Sequence, residues 1–226
     1  ITRARGRRLR PSRPWNIVLR RDLLGLRRQP GSGVIAALVS GLGAAGLTWS
    51  CTQPAVPVIV AIVSGLLLHI GFSTAAEGLR MQGDNAGTPP LLGLSFRAEA
   101  LGHLAVPMIV SGGSALLVAA AAAWTVGLPV AVAWVAVMVV VVTGTTMAAA
   151  FRGSAPITAF VPGAGPAALL FWMSRQAVTA AATGGALVRL SRLDGAMPSV
   201  AAALMAVGAL VWGFSRLKAV TLEHRV

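Results

Sequence analysis

The sequence predicts an all-α, polytopic membrane protein: six transmembrane helices, preceded by an amphipathic helix in the membrane interface, with both termini in the cytoplasm. Hydrophobic residues make up 56% of the chain, charged residues only 11%, and the mean hydropathy is +0.77. The segments 29–76 and 100–151 contain no Asp, Glu, Lys or Arg. Each is about twice the ~20 residues that one transmembrane helix needs. Small aliphatic residues with no Tyr fit helices better than the strands of a barrel.

The amino-terminal part combines a basic arm with an amphipathic helix. Residues 1–14 are rich in Arg and Pro and are expected to be mobile. In 15–29, apolar side chains recur at helical spacing, so this helix is expected to lie in the headgroup layer. Its apolar stripe is Trp15, Leu19, Leu23 and Leu26, with Arg21 and Arg28 opposite. Contact with anionic lipid is favoured over binding of nucleic acid.

The transmembrane domain occupies 30–226. Its spans are predicted at about 32–49, 55–75, 103–123, 129–150, 175–190 and 196–216. The largest polar connection, 76–102, joins spans two and three. With an inside amino terminus, only Arg189 and Arg192 of the basic residues fall outside, which favours this orientation by the positive-inside rule.

The fifth span has two interpretations, because Arg175 interrupts the apolar segment 163–188. An arginine at the centre of a membrane helix costs about 2.5 to 3.5 kcal/mol on insertion scales. One long helix could carry Arg175 as a buried functional group. Alternatively, three prolines between 156 and 166 break the chain, 164–174 lies at the cytoplasmic interface, and the crossing is 175–190. We favour the second interpretation because it needs no buried charge.

Motifs for catalysis are absent from the sequence. It has no phosphate-binding loop, a single lysine (Lys218) and only six acidic residues. The one cysteine, Cys51, excludes a disulfide framework and a multi-cysteine zinc site. Val-Ser-Gly occurs three times within apolar spans and indicates close helix packing rather than a serine nucleophile. We therefore expect a chain that is not an enzyme and binds no metal or cofactor.

Three ionisable side chains lie in or beside the predicted spans: His69, His103 and Arg175. Glu99 lies four residues before His103, on the same helix face. Such groups can relay protons or bind a metal. A network of hydrogen bonds or salt bridges at the interface is the favoured interpretation.

This order of elements is similar to that of the membrane (permease) subunit of an ABC-2-type exporter. The similarity covers nearly the whole chain. The connection 76–102 and its flanks also resemble those of large actinobacterial permeases, in AAEGLR (75–80), Asp84, Leu91-Leu92 and LGHLAVP (101–107). The resemblance implies the carboxy-terminal six-helix half of such a permease, with which the start at Ile1 agrees.

The resemblance also implies roles for two segments. Residues 15–28 would be the elbow helix, and 76–102 would present a coupling helix to a separate ATPase that binds ATP and Mg. The residues at or beside that contact would be Glu77, Arg80, Asp84, Arg97 and Glu99. One departure is the short connection 191–195, where many family members have a re-entrant hairpin.

The same resemblance implies a bacterial cytoplasmic membrane as location. Partners would be the ATPase, the lipid bilayer and a second six-helix unit, which is another copy or the other half of a longer permease. The substrate would be hydrophobic. Two other functions stay open: a proton-coupled secondary transporter and a membrane scaffold or accessory subunit. The former would use His69, Glu77, Glu99, His103 or Arg175, but requires carboxylates deep in the membrane, where the sequence has none.

Overall fold

The computed structural model describes residues 14–88, 93–153, 155, 163 and 165–223. Within these ranges every regular element is a helix, so the all-α class is confirmed for them. The predicted mobile arm lies outside the described residues except for Pro14. The described helices are α1 (Pro14–Arg28), α2 (Pro30–Thr52), α3 (Val58–Ala75), α4 (Glu77–Asp84), α5 (Phe96–Pro107), α6 (Gly113–Val126), α7 (Val130–Ala150), α8 (Gly165–Ser191) and α9 (Met197–Glu223).

Five stretches of the described chain are long and apolar enough to cross a membrane, which indicates a multi-pass membrane protein. They are Pro30–Thr52, Val58–Ala75, Phe96–Thr125, Val130–Ala150 and Met197–Leu222. Helix α8 has 27 residues but is less apolar, because it carries Arg175, Gln176 and several hydroxyl side chains. The predicted count of six spans therefore stays a prediction.

Helix α8 differs from the favoured interpretation of the fifth span. It is one continuous helix from Gly165 to Ser191, without a boundary at residue 175. Pro166 does not break it, because it lies in the first turn, where a backbone N–H needs no partner. Gln176 donates a 3.3 Å hydrogen bond to the carbonyl of Ala148, near the end of α7. The first turns of α8 therefore extend beyond α7.

The helix of the third predicted span begins at Phe96 rather than 103. Its start is fixed by Ser95, whose Oγ accepts a 3.2 Å hydrogen bond from the backbone N–H of Ala98. Such an N-cap satisfies one of the free donors at a helix start. The predicted connection 76–102 thus contains helix α4 and the first turns of α5.

A π-helical turn, Met108–Gly112, joins α5 to α6 and makes them one long helix. It follows Pro107, which lacks the N–H that a regular α-helix would use. Ser111 in this turn donates a 3.1 Å hydrogen bond to the carbonyl of Gly71. The irregular backbone is therefore attached to the neighbouring α3.

Glycines allow direct backbone contact between the central helices. A Cβ atom at Gly65 would strike the carbonyl of Ala180, and one at Gly184 would strike that of Ala61, so α3 and α8 touch backbone to backbone. A Cβ atom at Gly144 would strike the carbonyl of Ala209 in α9. Gly65 ends one of the Val-Ser-Gly motifs, in agreement with the predicted packing role.

The helices alternate in direction, which collects most basic side chains at one end of the bundle. Helices α1 and α4, the first turns of α5 and α8, and the last turns of α7 and α9 meet there. We call it the basic end. At the opposite end, Arg192 donates a 2.9 Å hydrogen bond to the carbonyl of Val56. The predicted orientation, with both termini in the cytoplasm, is based on this unequal distribution of basic residues between the two ends.

Candidate functional site

The candidate site is a group of charged side chains between α1 and α5 at the basic end. Arg21 and Asp22 come from α1, and Glu99 and His103 from α5. We call these four residues the polar junction. The side chains of Asp22 and His103 are 8% and 0% exposed, so their contact is made away from water.

Asp22 and His103 form the central contact of the polar junction. His103 Nδ1 donates to Asp22 Oδ2 at 2.6 Å, a short distance for an N–H donor, as hydrogen bonds to a charged acceptor tend to be. On the other side of the ring, Nε2 lies 3.5 Å from Arg21 Nη2 and 3.8 Å from Glu99 Oε1. When the imidazole ring of His103 is neutral, its Nε2 accepts a hydrogen bond from Arg21. When the ring is protonated, it forms ion pairs with the carboxylates of Asp22 and Glu99.

Small residues bring the three helices of this region together. A Cβ atom at Gly78 in α4 would lie 2.5 Å from both Asp22 Oδ1 and His103 Nδ1. A Cβ atom at Gly102 in α5 would lie 3.0 Å from Val18, which is 1% exposed. Helix α4 therefore lies directly against the polar junction, and displacement of α4 presses on the contact between α1 and α5.

A cleft of about 990 Å³ opens beside the polar junction, between α1, α3 and α4. Its apolar walls include Leu24, Ile70 and Val106, and its charged groups are Arg21, Asp22, Arg28, Glu77 and Arg80. Such a mixture of apolar surface and few polar groups is typical of sites for small amphiphilic molecules. The cleft and the polar junction share two residues and form one region.

No known protein family, curated protein or solved structure matches this chain.

The residues predicted to contact an ATPase divide into two groups. Glu77, Arg80, Asp84 and Arg97 are exposed at the basic end, and Arg80 forms an ion pair with Glu77 one helical turn away. Glu99 is instead turned toward His103, with a side chain that is 17% exposed. Four of the five side chains thus lie where another protein can reach them.

The predicted elbow helix is the observed α1. Trp15 and Leu23 of its apolar stripe are exposed, whereas Leu19 and Leu26 are half-buried. The side that packs against the protein carries Val18 and Asp22 instead. Arg28 lines the cleft, and Arg21 belongs to the polar junction.

The structure separates the three predicted relay residues. His103 belongs to the polar junction, while His69 lines the cleft and its Nδ1 lies 3.1 Å from Thr145 Oγ1. Arg175 lies on α8 level with the end of α7, since the next residue, Gln176, donates to the carbonyl of Ala148. Within the described part of the chain, no group of three or more His, Cys, Asp or Glu side chains has the geometry to hold a metal ion.

Sequence reasoning missed Asp22 and Gly78. Asp22 is the only acidic residue before Glu77, within a helix that otherwise carries only arginines as charged residues. A single carboxylate in such a helix is a signal of a specific partner. Gly78 gave no comparable signal, because its importance depends on contacts with two other helices.

Proposed function

We propose that this chain is the transmembrane subunit of an ATP-driven ABC exporter in a bacterial cytoplasmic membrane. A separate ATPase supplies the energy and docks on α4, and a second six-helix unit completes the pathway for a hydrophobic substrate. The membrane location rests on the five apolar stretches of the described chain. The transport role rests on the arrangement of α1, α4 and α5.

The observation that carries this proposal is the contact of α4 with the polar junction. The outer side of α4 offers Glu77, Arg80 and Asp84 to a partner, while Gly78 lies against Asp22 and His103. A push on α4 from a closing ATPase would therefore reach α1 and α5 directly. Because α5 continues into α6 across the membrane, the movement would also reach the far side.

The experiment is purification of the tagged full chain from its native membrane, with identification of bound proteins by mass spectrometry. We expect an ATPase with a nucleotide-binding motif to copurify with the unaltered chain. The double variant Glu77→Ala, Arg80→Ala should lose this ATPase. The matched control Arg189→Ala, Asp194→Ala, at the opposite end, should retain it. Loss of the exposed Glu77–Arg80 pair costs at most about 1 kcal/mol, so the fold should survive.

Transport measurements in proteoliposomes separate the proposed function from its alternatives. The exporter requires ATP, and the double variant of Glu77 and Arg80 should transport poorly. If no ATPase copurifies and transport persists without ATP, the exporter proposal is wrong. If the double variant loses its partner but transports normally, a scaffold role for this surface is supported instead.

A proton-coupled transporter is the second candidate, supported by two buried histidines in one region. His103 pairs with Asp22, and His69 lines the cleft to which Asp22 also contributes. In this mechanism a proton would move between the Asp22–His103 pair and the cleft. It predicts uptake or efflux driven by a pH gradient alone, and abolished by Asp22→Asn.

A further inference from the structure

A second group of charged side chains lies at the basic end, on helices that do not form the polar junction. Arg152 follows α7, Arg175 lies in α8 and Arg216 lies in α9. Gln176, the residue after Arg175, donates to the carbonyl of Ala148 near the end of α7, and Arg216 donates to the carbonyl of Arg152, so the three arginines lie at the same level of the bundle. We call these residues the arginine cluster.

Two members of the arginine cluster have carbonyl partners at the end of α7. Arg216 donates from Nε to the carbonyl of Phe151 at 3.4 Å and from Nη2 to that of Arg152. Arg152 donates from Nε to the carbonyl of Ala149 at 3.1 Å, and its guanidinium lies 5.0 Å from the ring centre of Trp172. Cations are favourable at a helix carboxy terminus. Both arginines therefore have a structural role.

Within the described ranges, the side chain of Arg175 has no carbonyl partner of this kind. Among the described residues, its Nε and Nη2 atoms are buried without a hydrogen-bond partner. These two nitrogens form the side edge of the guanidinium, which pairs with two oxygens of a carboxylate or phosphate. The side chain as a whole is partly exposed, so rotation of its outer bonds brings this edge to an anion at the surface. The Nε and Nη2 atoms of Arg175 can thus donate two hydrogen bonds to one anion.

The chain on either side of Arg175 in sequence contains no carboxylate side chain over a long range. No Asp or Glu occurs between Glu99 and Asp194, so α7, α8 and their connection contain none. Burial lowers the pKa of Arg152, although the negative charge of Asp84 acts in the opposite direction. Three like charges with so little compensation are unfavourable in a partly buried place. An anion from outside the chain would balance them.

The surroundings favour a lipid as the source of this anion. The first turns of α8 expose large apolar side chains beside the arginine cluster, namely Leu169, Leu170, Phe171 and Met173. Trp172, which lies between them, is of the residue type that prefers the membrane interface. Acyl chains can cover the apolar side chains while a headgroup phosphate lies at the arginines. Anionic lipids also attract basic groups at the cytoplasmic surface.

We propose that the arginine cluster binds the headgroup phosphate of an anionic phospholipid. The side edge of Arg175 makes the main contact, and Arg152 and Arg216 add positive charge while they cap α7. The proposal does not rest on the transport function: its phosphate donors lie outside α4 and the polar junction, and only the charge of Asp84 in α4 acts on Arg152.

The test titrates the full chain, purified in a zwitterionic detergent, with phosphatidylglycerol. Binding is measured by native mass spectrometry and by the shift in Tm. Phosphatidylcholine and inorganic phosphate are the comparison probes. We expect phosphatidylglycerol alone to remain bound and raise the Tm. An equal effect of phosphatidylcholine would overturn recognition of an anion, and an equal effect of inorganic phosphate would overturn the lipid as its source.

Two variants in α8 test the role of Arg175. Arg175→Gln should weaken phosphatidylglycerol binding about tenfold or more, the loss expected for hydrogen bonds to a charged group. Arg189→Gln removes an exposed arginine at the other end of the same helix and should retain affinity within about twofold. Unchanged binding by Arg175→Gln, or an equal loss in Arg189→Gln, would show that the proposed site is wrong.

The Tm without added lipid separates binding from a structural role. Arg175→Gln should have a Tm equal to or above that of the unaltered chain, because repulsion among the three arginines is relieved. A purely structural arginine would give a lower Tm in the same detergent, which would contradict the proposal. Arg175→Lys keeps the charge but lacks the two-nitrogen edge, so its affinity should fall between those of the glutamine variant and the unaltered chain.

Discussion

Replacement of Asp22 by Ala is expected to loosen α1 from the bundle without unfolding the remaining helices. The variant removes the acceptor of the 2.6 Å hydrogen bond from His103, whose side chain is fully buried. A hydrogen bond to a charged group contributes about 1.5 to 3 kcal/mol. The contact of Val18 with Gly102 is retained, so α1 should still dock most of the time. The population with α1 detached should rise roughly 10- to 150-fold.

Cysteine labelling measures this population. Val18 is 1% exposed, so a Val18→Cys variant, made in a Cys51→Ala background, reacts with a maleimide only when α1 detaches. In nanodiscs, where both faces are accessible, Asp22→Ala should raise the labelling rate by the same roughly 10- to 150-fold. Arg20→Ala, an exposed change in the same helix, is the matched control and should leave the rate unchanged.

Two results would refute this reasoning. An equal labelling rate with and without Asp22 would mean that the carboxylate does not hold α1 in place. Rapid labelling in the Val18→Cys parent itself would mean that α1 is not docked, in which case α4 has no closed junction on which to act.

Three further changes test the packing at and near the basic end. Gly144→Ala should destabilise the protein by about 1 to 3 kcal/mol in SDS unfolding, because the new methyl group meets the backbone of Ala209, whereas Gly208→Ala has open space and should be tolerated. Phe151→Ala should cost about 3 to 5 kcal/mol in the same assay, since its ring is 1% exposed; a loss below about 1 kcal/mol would mean that the ring is not packed in the core. Ser95→Ala should cost about 1 kcal/mol and increase hydrogen exchange in the first turn of α5.

Membrane residence and helix order were predictable because lipid imposes a simple rule on the sequence. Uncharged segments of sufficient length become helices that satisfy their own backbone hydrogen bonds. The predicted spans 32–49, 55–75 and 129–150 agree with α2, α3 and α7 to within three residues at each end. The helix that contains the predicted span 175–190 begins ten residues earlier, at Gly165, because Arg175 and Pro166 each suggested an interruption. Pro166 is harmless in the first turn, and Arg175 lies level with the end of α7, where the side chain reaches the surface.

The exposed charges of α4 were also predictable, since charged residues in a short polar connection have no apolar core to enter. The polar junction was not predictable from the sequence. Asp22 and His103 are 81 residues apart in the sequence, and only the packing of α1 against α5 brings them together. Glu99 was expected at a partner surface, but its position one turn before His103 turns it inward. Contacts of this kind depend on tertiary structure rather than on local pattern.

The π-helical turn between α5 and α6 places one extra residue in the path of a transmembrane helix. Helices α3 and α8, and likewise α7 and α9, touch backbone to backbone, where an added Cβ atom would clash. Among the described residues, these four helices contain no such extra residue. If the π turn moves along the helix by one position, the residue it passes turns by about 100° about the helix axis. A shift of the turn can thus change the direction of one side chain while α5 keeps its place at the polar junction.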